Sequence, residues 1–146
     1  MADESGGFRR RLDAKGRLSL PSYIRNTLPE DLKTLRVTVS PKGNCVYIIK
    51  PKKFETWIES LFERDGGYSS SKAEHVNART VLFAQGLYVE LDKSNRLGIS
   101  PVQREKAGLE IESDVVVFDA ADHIEVWDAK RWDEFYNSVN LANLIV

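Results

Sequence analysis

The sequence predicts an α+β fold in which two tandem modules of short antiparallel strands interlock into one small β-barrel with pseudo-twofold symmetry and flanking helices. Three observations lead there. The segment Leu12-Asp13-Ala14-Lys15-Gly16-Arg17-Leu18-Ser19-Leu20 returns 79 residues later as Leu91-Asp92-Lys93-Ser94-Asn95-Arg96-Leu97-Gly98-Ile99. Each copy is followed by the same succession of turn, short helix, two strands and closing helix, which marks a tandem duplication. Neither copy is self-sufficient, because a unit of about 60 residues with two short hairpins buries little apolar area and leaves strand edges open.

Residues 8–12 and 17–20 read as two strands around an Asp-Ala-Lys-Gly turn. Asp13 and Asp92 suit the first turn position, where a carboxylate accepts a backbone N–H. Gly16 can take the positive φ such turns require, and its counterpart Asn95 is among the few other residues that tolerate it. A short helix follows at 21–28, ended by Pro29. In the second copy Ser100 is an N-cap, Pro101 the first helical residue and Gly108 the C-terminal glycine. Strands are expected at 35–40, 45–49, 115–119 and 123–127. Phe54, Trp57, Ile58, Leu61 and Phe62 form one helical stripe, and Trp132, Phe135, Tyr136 and Val139 repeat its spacing; both are expected to face the core. The Gly- and Ser-rich stretch 63–71 reads as the linker between a first module at 7–62 and a second at 72–140. The helix leading into the second module should turn Ala73, Val76, Thr80 and Phe83 to one face.

The chain has 146 residues, is 42% hydrophobic and carries a formal charge of −1. That near-neutrality hides a division. Residues 1–79 hold 15 Lys and Arg against 10 Asp and Glu, whereas residues 80–146 hold 6 against 12. A net +5 beside a net −6 gives the two halves different partners, a polyanion for the first and protein for the second. No apolar run approaches the roughly 20 residues that span a bilayer. The polar start, residues 1–7, reads as a loose end, and the single Cys45 lies in an apolar strand, consistent with a reducing cytoplasm.

These residues resemble the MraZ family of bacterial transcriptional regulators, which carries two Asp-x-x-x-Arg motifs on two AbrB-type swapped-hairpin modules. Asp13-Ala14-Lys15-Gly16-Arg17, followed by Leu18-Ser19-Leu20-Pro21 and Arg25, matches the first motif. Ala78-Arg79 through Phe83-Ala84, then Val89-Glu90-Leu91-Asp92 and Arg96, matches the second, and residues 116–127 continue in the family manner. The resemblance implies sequence-specific binding to double-stranded DNA near the start of a cell-division and cell-wall gene cluster. It also implies regulation of the chain's own operon, association with the nucleoid, and assembly into a homo-oligomeric ring of about eight or more subunits. Against the family pattern, Asn95 stands where Gly is usual and Ser100 where the first copy has Pro21.

The DNA-binding residues expected are Arg9, Arg10, Arg11, Lys15, Arg17 and Arg25, six cations against the single anion Asp13 between residues 8 and 25. Strand alternation sends Arg9 and Arg11 one way and Arg10 the other. A basic two-stranded ribbon can follow the phosphate backbone or enter the major groove. The plainer alternative is a solvated face on which Arg17 merely pairs with Asp13. The second copy keeps Asp92, Arg96 and Arg104 but has Val89-Glu90 in place of Arg10-Arg11. Asp13, Gly16, Asp92, Asn95 and Arg96 are accordingly expected to serve the turn fold, so that Arg96→Ala should disturb folding or assembly more than DNA affinity. An antitoxin-type interaction module of AbrB-like fold is the alternative function. Nothing points to an enzyme, a metal or a cofactor. His75 and His123 have no companions at metal-ligand spacing, Gly66-Gly67 lacks the lysine of a phosphate loop, and Asp119, Asp122 and Glu125 read as a solvated strand turn.

Overall fold

Strands β1 (Phe8–Arg11), β2 (Arg17–Ser19), β3 (Thr34–Val39) and β4 (Val46–Ile49) come from the first copy. Strands β5 (Leu87–Glu90), β6 (Arg96–Gly98), β7 (Asp114–Asp119) and β8 (Ile124–Asp128) come from the second. The computed structural model describes residues 6–145, so most of the polar start, residues 1–5, and Val146 lie outside the described residues. Gly7, counted with that loose start, is already buried.

Six strands form an antiparallel sheet in the order β1-β7-β8-β4-β3-β5, and β2 pairs with β6 in a separate ribbon. The first strand of each copy therefore lies on the other copy: β1 on β7 and β5 on β3. Exchanging the copies converts one contact into the other. The same exchange relates Leu20 N donating to Asn95 O and Ile99 N donating to Gly16 O, each at 3.1 Å. Within a copy, β1 and β2 form no ladder with each other; the turn between them is closed by Asp13 N on Arg17 O at 3.1 Å.

The main core draws on both copies. Leu12, Leu18, Leu35 and Val37 pack with Leu97, Val115, Val117 and Val126. Strand β7 buries its apolar run Val115-Val116-Val117, whereas β3 is buried along most of its length although Arg36 and Thr38 alternate with Leu35, Val37 and Val39. The other face of the sheet is covered by helices α2 (Pro51–Ser60), α3 (Ala73–Gln85) and α5 (Ala129–Ser138), over clusters centred on Phe54 with Ile58 and on Trp127 with Trp132. Helices α1 (Ser22–Asn26) and α4 (Pro101–Ala107) follow the two motif turns. The caps of α4 are as expected: Ser100 accepts from Gln103 N at 3.2 Å, and Gly108 closes the helix at φ +72°. Among the described residues no helix is long and apolar enough to cross a membrane.

Three expectations are corrected. First, α3 does not bury Ala73, Val76 and Thr80, which are exposed; it turns His75, Arg79, Leu82 and Phe83 inward. His75 is buried, with Nδ1 accepting from Ser69 N at 3.0 Å and Nε2 facing Asp65 at 3.1 Å. Local partners satisfy these polar groups, so the packed face carries no hydrophobic signature. Second, residues 63–71 are not a loose connection. A 3-10 turn at Glu63–Asp65 leads to Tyr68, which meets Phe62 edge-on at 5.4 Å. Third, the aromatic stripe of α5 is inward only at its first residue. Trp132 is buried, but Phe135, Tyr136 and Val139 are exposed, as is Leu61 within the first stripe, whose last residue Phe62 is buried.

Gly86, which ends α3, is buried against the Phe54 ring, and a β-carbon there would fall onto that ring. Gly86→Ala is expected to destabilise the chain by about 1–3 kcal/mol through overpacking, read as a lower midpoint in urea unfolding; an unchanged midpoint would contradict this packing.

The turn between β7 and β8 holds a polar cluster. His123 Nδ1 meets Asp122 at 2.6 Å and Nε2 meets Glu125 at 2.8 Å, while Glu125 also accepts from Trp127 Nε1 at 2.8 Å. With a carboxylate on each nitrogen, only the protonated ring can donate to both. Burial opposes that charge, but the hydrogen bonds the ring donates to Glu125 and Asp122 outweigh it and raise the His123 pKa. Burial likewise opposes charge on Glu125, and its bonds with His123 and Trp127 outweigh it and lower the pKa. Nearby, burial and Glu125 push Cys45 and Tyr47 up to about 12, so the buried thiol is not a nucleophile at neutral pH.

The two shifts give stability a pH window. The His123 contribution is full below its unfolded value of 6.5 and is lost as pH rises through the higher folded value. The Glu125 contribution is present above 4.5 and is lost as pH falls through the lower folded value. Melting temperature should therefore peak near pH 5–6 and decline toward pH 9. In His123→Gln the alkaline decline should flatten; an equal decline in both proteins would show that the ring is neutral.

Candidate nucleic-acid interface

Both motif turns are built alike. Asp13 Oδ1 accepts from the backbone N–H of Lys15 at 2.9 Å and of Arg17 at 2.8 Å, while Oδ2 accepts from Arg17 Nε at 2.7 Å. Asp92 repeats this with Ser94 N at 2.8 Å, Arg96 N at 2.9 Å and Arg96 Nε at 2.8 Å. The backbone N–H of Arg17, and then the arginine side chain and the N–H of Lys15, hold the Asp13 carboxyl below its usual range. The N–H groups of Arg96 and Ser94 and the Arg96 side chain do the same for Asp92. The fourth turn residue is left-handed in both copies, Gly16 at φ +76° and Asn95 at φ +58°.

Gly16 has a second reason to be glycine. The guanidinium of Arg104 lies against it, with Nε 2.6 Å from where a β-carbon would stand. Arg25, 79 residues before Arg104, does the reciprocal thing: its Nε donates to Asn95 Oδ1 at 3.0 Å. Its other nitrogens donate to the carbonyls of Pro29 at 3.2 Å, Glu30 at 3.1 Å and Leu32 at 3.2 Å. All three nitrogens of Arg25 thus serve the chain itself, which separates it from the other five expected contacts.

The β2–β6 ribbon brings the two motifs together. Arg17 pairs with Gly98 and Ser19 with Arg96, while the central Leu18 and Leu97 point into the core with no exposed surface. Strand alternation then puts Arg17, Ser19, Arg96 and Gly98 on the outer face. Each arginine is held through Nε, and among the described residues its two Nη groups have no partner. An arginine fixed in this way presents its fork outward, the geometry that receives a phosphate or the O6/N7 edge of guanine.

The remaining cations flank this ribbon. Arg9 and Arg11 are exposed and Arg10 is half-buried beside Phe8, the alternation expected. Arg9 faces Asp133 at 3.7 Å, Arg11 faces Asp114 at 4.0 Å, and Arg10 Nη1 donates to the Arg9 carbonyl at 2.9 Å. Lys15 is exposed at the tip of its turn; its counterpart in the second copy is Ser94, and the exposed Lys93 stands one position earlier, opposite Ala14. The basic strand β1 thus lies on acidic second-copy residues, so the charge division of the sequence does not become two separate lobes. Sequence reasoning missed the reciprocal Arg25–Asn95 and Arg104–Gly16 contacts, although the repeat spacing of 79 residues links all four. Among the described residues no group of three or more His, Cys, Asp or Glu could hold a metal.

What the fold and these turns define is a duplicated α+β protein with two Asp-x-x-x-Arg turns on one ribbon. Residues 82–145 match the family model described as "MraZ protein, putative antitoxin-like". The chain is 35% identical over 133 residues to the transcriptional regulator MraZ of Paenarthrobacter aurescens, covering 90% of this chain and 85% of that protein. It is 33% identical over 132 residues to the protein of that name in Symbiobacterium thermophilum, covering 89% and 87%. To the protein of that name in Mycoplasmoides gallisepticum it is 30% identical over 130 residues, covering 89% and 84%. The chain belongs to the MraZ family.

Proposed function

We propose that this chain is a DNA-binding transcriptional regulator of the cytoplasm, associated with the nucleoid. It acts as a homo-oligomeric ring on repeated boxes ahead of a cell-division and cell-wall gene cluster, its own operon included. Its halves, residues 7–62 and 72–140, are AbrB-type swapped-hairpin modules closing one pseudo-twofold barrel. The reading calls for no cofactor, metal or catalytic residue.

The observation that carries this is the pair of arginines on the outer face of the β2–β6 ribbon, each anchored by its aspartate with its fork unpartnered. Arg17 and Arg96 contact the duplex directly. Arg9, Arg10, Arg11 and Lys15 add phosphate contacts beside them, and Arg25 keeps the architectural role described above. This changes the part expected of Arg96. The Asp92 turn is already held by two backbone N–H donors, so the half-buried Arg96 side chain is dispensable for folding. Several copies on one assembly raise avidity on repeated boxes without new chemistry.

The test is fluorescence anisotropy of the full chain on a duplex from upstream of its operon, titrated with salt. Phosphate contacts release counterions, so the logarithm of affinity should fall with log salt at a slope of about −3 or steeper. A flat response, or no binding in dilute buffer, would contradict the proposal. The antitoxin-like wording of the family description favours one alternative, a protein-interaction module, for which absence of duplex affinity is the expected outcome.

A further inference from the structure

We propose that an apolar strip along α5 and the turn after it docks into a groove beside α3 and α4 of a second copy of this chain. This rests on the homo-oligomeric reading above and names its interface. The strip is Phe135, Tyr136, Val139, Leu141, Leu144 and Ile145, which are 42%, 55%, 47%, 69%, 82% and 86% exposed. Helix α5 buries only Ala129 and Trp132, so its remaining apolar side faces water together with the 3-10 turn Leu141–Ile145. A contiguous apolar surface of this kind marks an interaction site.

The groove is two depressions of about 720 and 370 Å³ that share Val39, Gln85 and Lys106. Val81 and Val102, 52% and 62% exposed, stand on its walls with Leu87. Two features fit the strip to it. The groove is lined by Lys42 and Lys106 and by no carboxylate. Between residues 132 and 145 the strip has Asp133, which also faces Arg9, and Glu134, with no cation.

No strip residue lines the groove of its own chain. Contact between unlike patches on identical chains is heterologous, and it repeats from copy to copy until rotation closes a ring.

Sedimentation velocity on the full chain over a range of concentrations tests this with Val102→Glu in the groove and Leu144→Glu in the strip. Wild type is expected to form a large assembly and each variant to remain a monomer with unchanged circular dichroism. A mixture of the two variants should stop at a one-to-one pair, because it contains one intact groove facing one intact strip. Lys106→Glu, which leaves the apolar wall alone, should weaken association at least tenfold. A monomeric wild type at all concentrations would overturn the oligomeric reading itself. An assembled wild type whose variants also assemble, or whose variants fail to pair when mixed, would overturn this interface alone.

Discussion

Arg17→Ala is expected to weaken binding to the operon duplex by roughly 5- to 150-fold, the equivalent of about 1–3 kcal/mol for a lost bidentate arginine contact. Arg96→Ala should lose affinity within the same range, because the two turns hold their arginines at 2.7 and 2.8 Å in matching geometry. Neither change should alter the unfolding midpoint by much. Without the arginine side chain, Asp13 still accepts from two backbone N–H groups, and Asp92 does the same. Arg17→Lys separates charge from shape: lysine keeps the cation but loses both the Nε anchor and the fork. It should recover phosphate attraction, seen in the salt slope, and not sequence preference. Selective loss of folding in Arg96→Ala, with DNA affinity intact, would restore the purely structural role and sink the two-arginine contact.

The second large effect concerns the core. Leu97 has no exposed surface and lies where β6 of the second copy meets β2 of the first. Leu97→Ala should cost about 2–5 kcal/mol, the range for truncating a buried leucine that leaves a cavity. The consequence should not stay in the second half. Strands β1 and β2 find their ladder partners only in the second copy. Calorimetry of wild type and variant should therefore give one cooperative transition each, the variant's shifted down as a whole. Two resolved transitions, only one of them moved by the substitution, would mean that the halves fold independently.

Local signals were the readable part of this chain. The caps of α4 follow from Ser100, Pro101 and Gly108, since each meets a backbone demand set within a few residues. The left-handed Asn95 was likewise foreseeable from its register with Gly16. Even the identical aspartate turns were implicit in the repeat. Helix faces fared worse. The inward side of α3 is carried by His75 and Arg79, whose polarity masks their packing: Arg79 donates to Glu59 at 2.7 Å and lies 4.8 Å over the Phe83 ring. On α5 the apolar spacing was present but the sheet beneath covers only Trp132, so periodicity predicted more burial than there is.

By itself, the sequence determined the duplication, the two turns and the chemistry of the residues in them, because repeats, caps and positive-φ positions depend on neighbours along the chain. Only the tertiary structure decided that Arg17 and Arg96 share a face, that Arg25 is taken up by the opposite turn, and that the basic strand lies on the acidic half. Those outcomes depend on which strand edge finds which partner. That choice is made when the strands of the two repeats bury their edges and leucines together, and linear spacing does not record it.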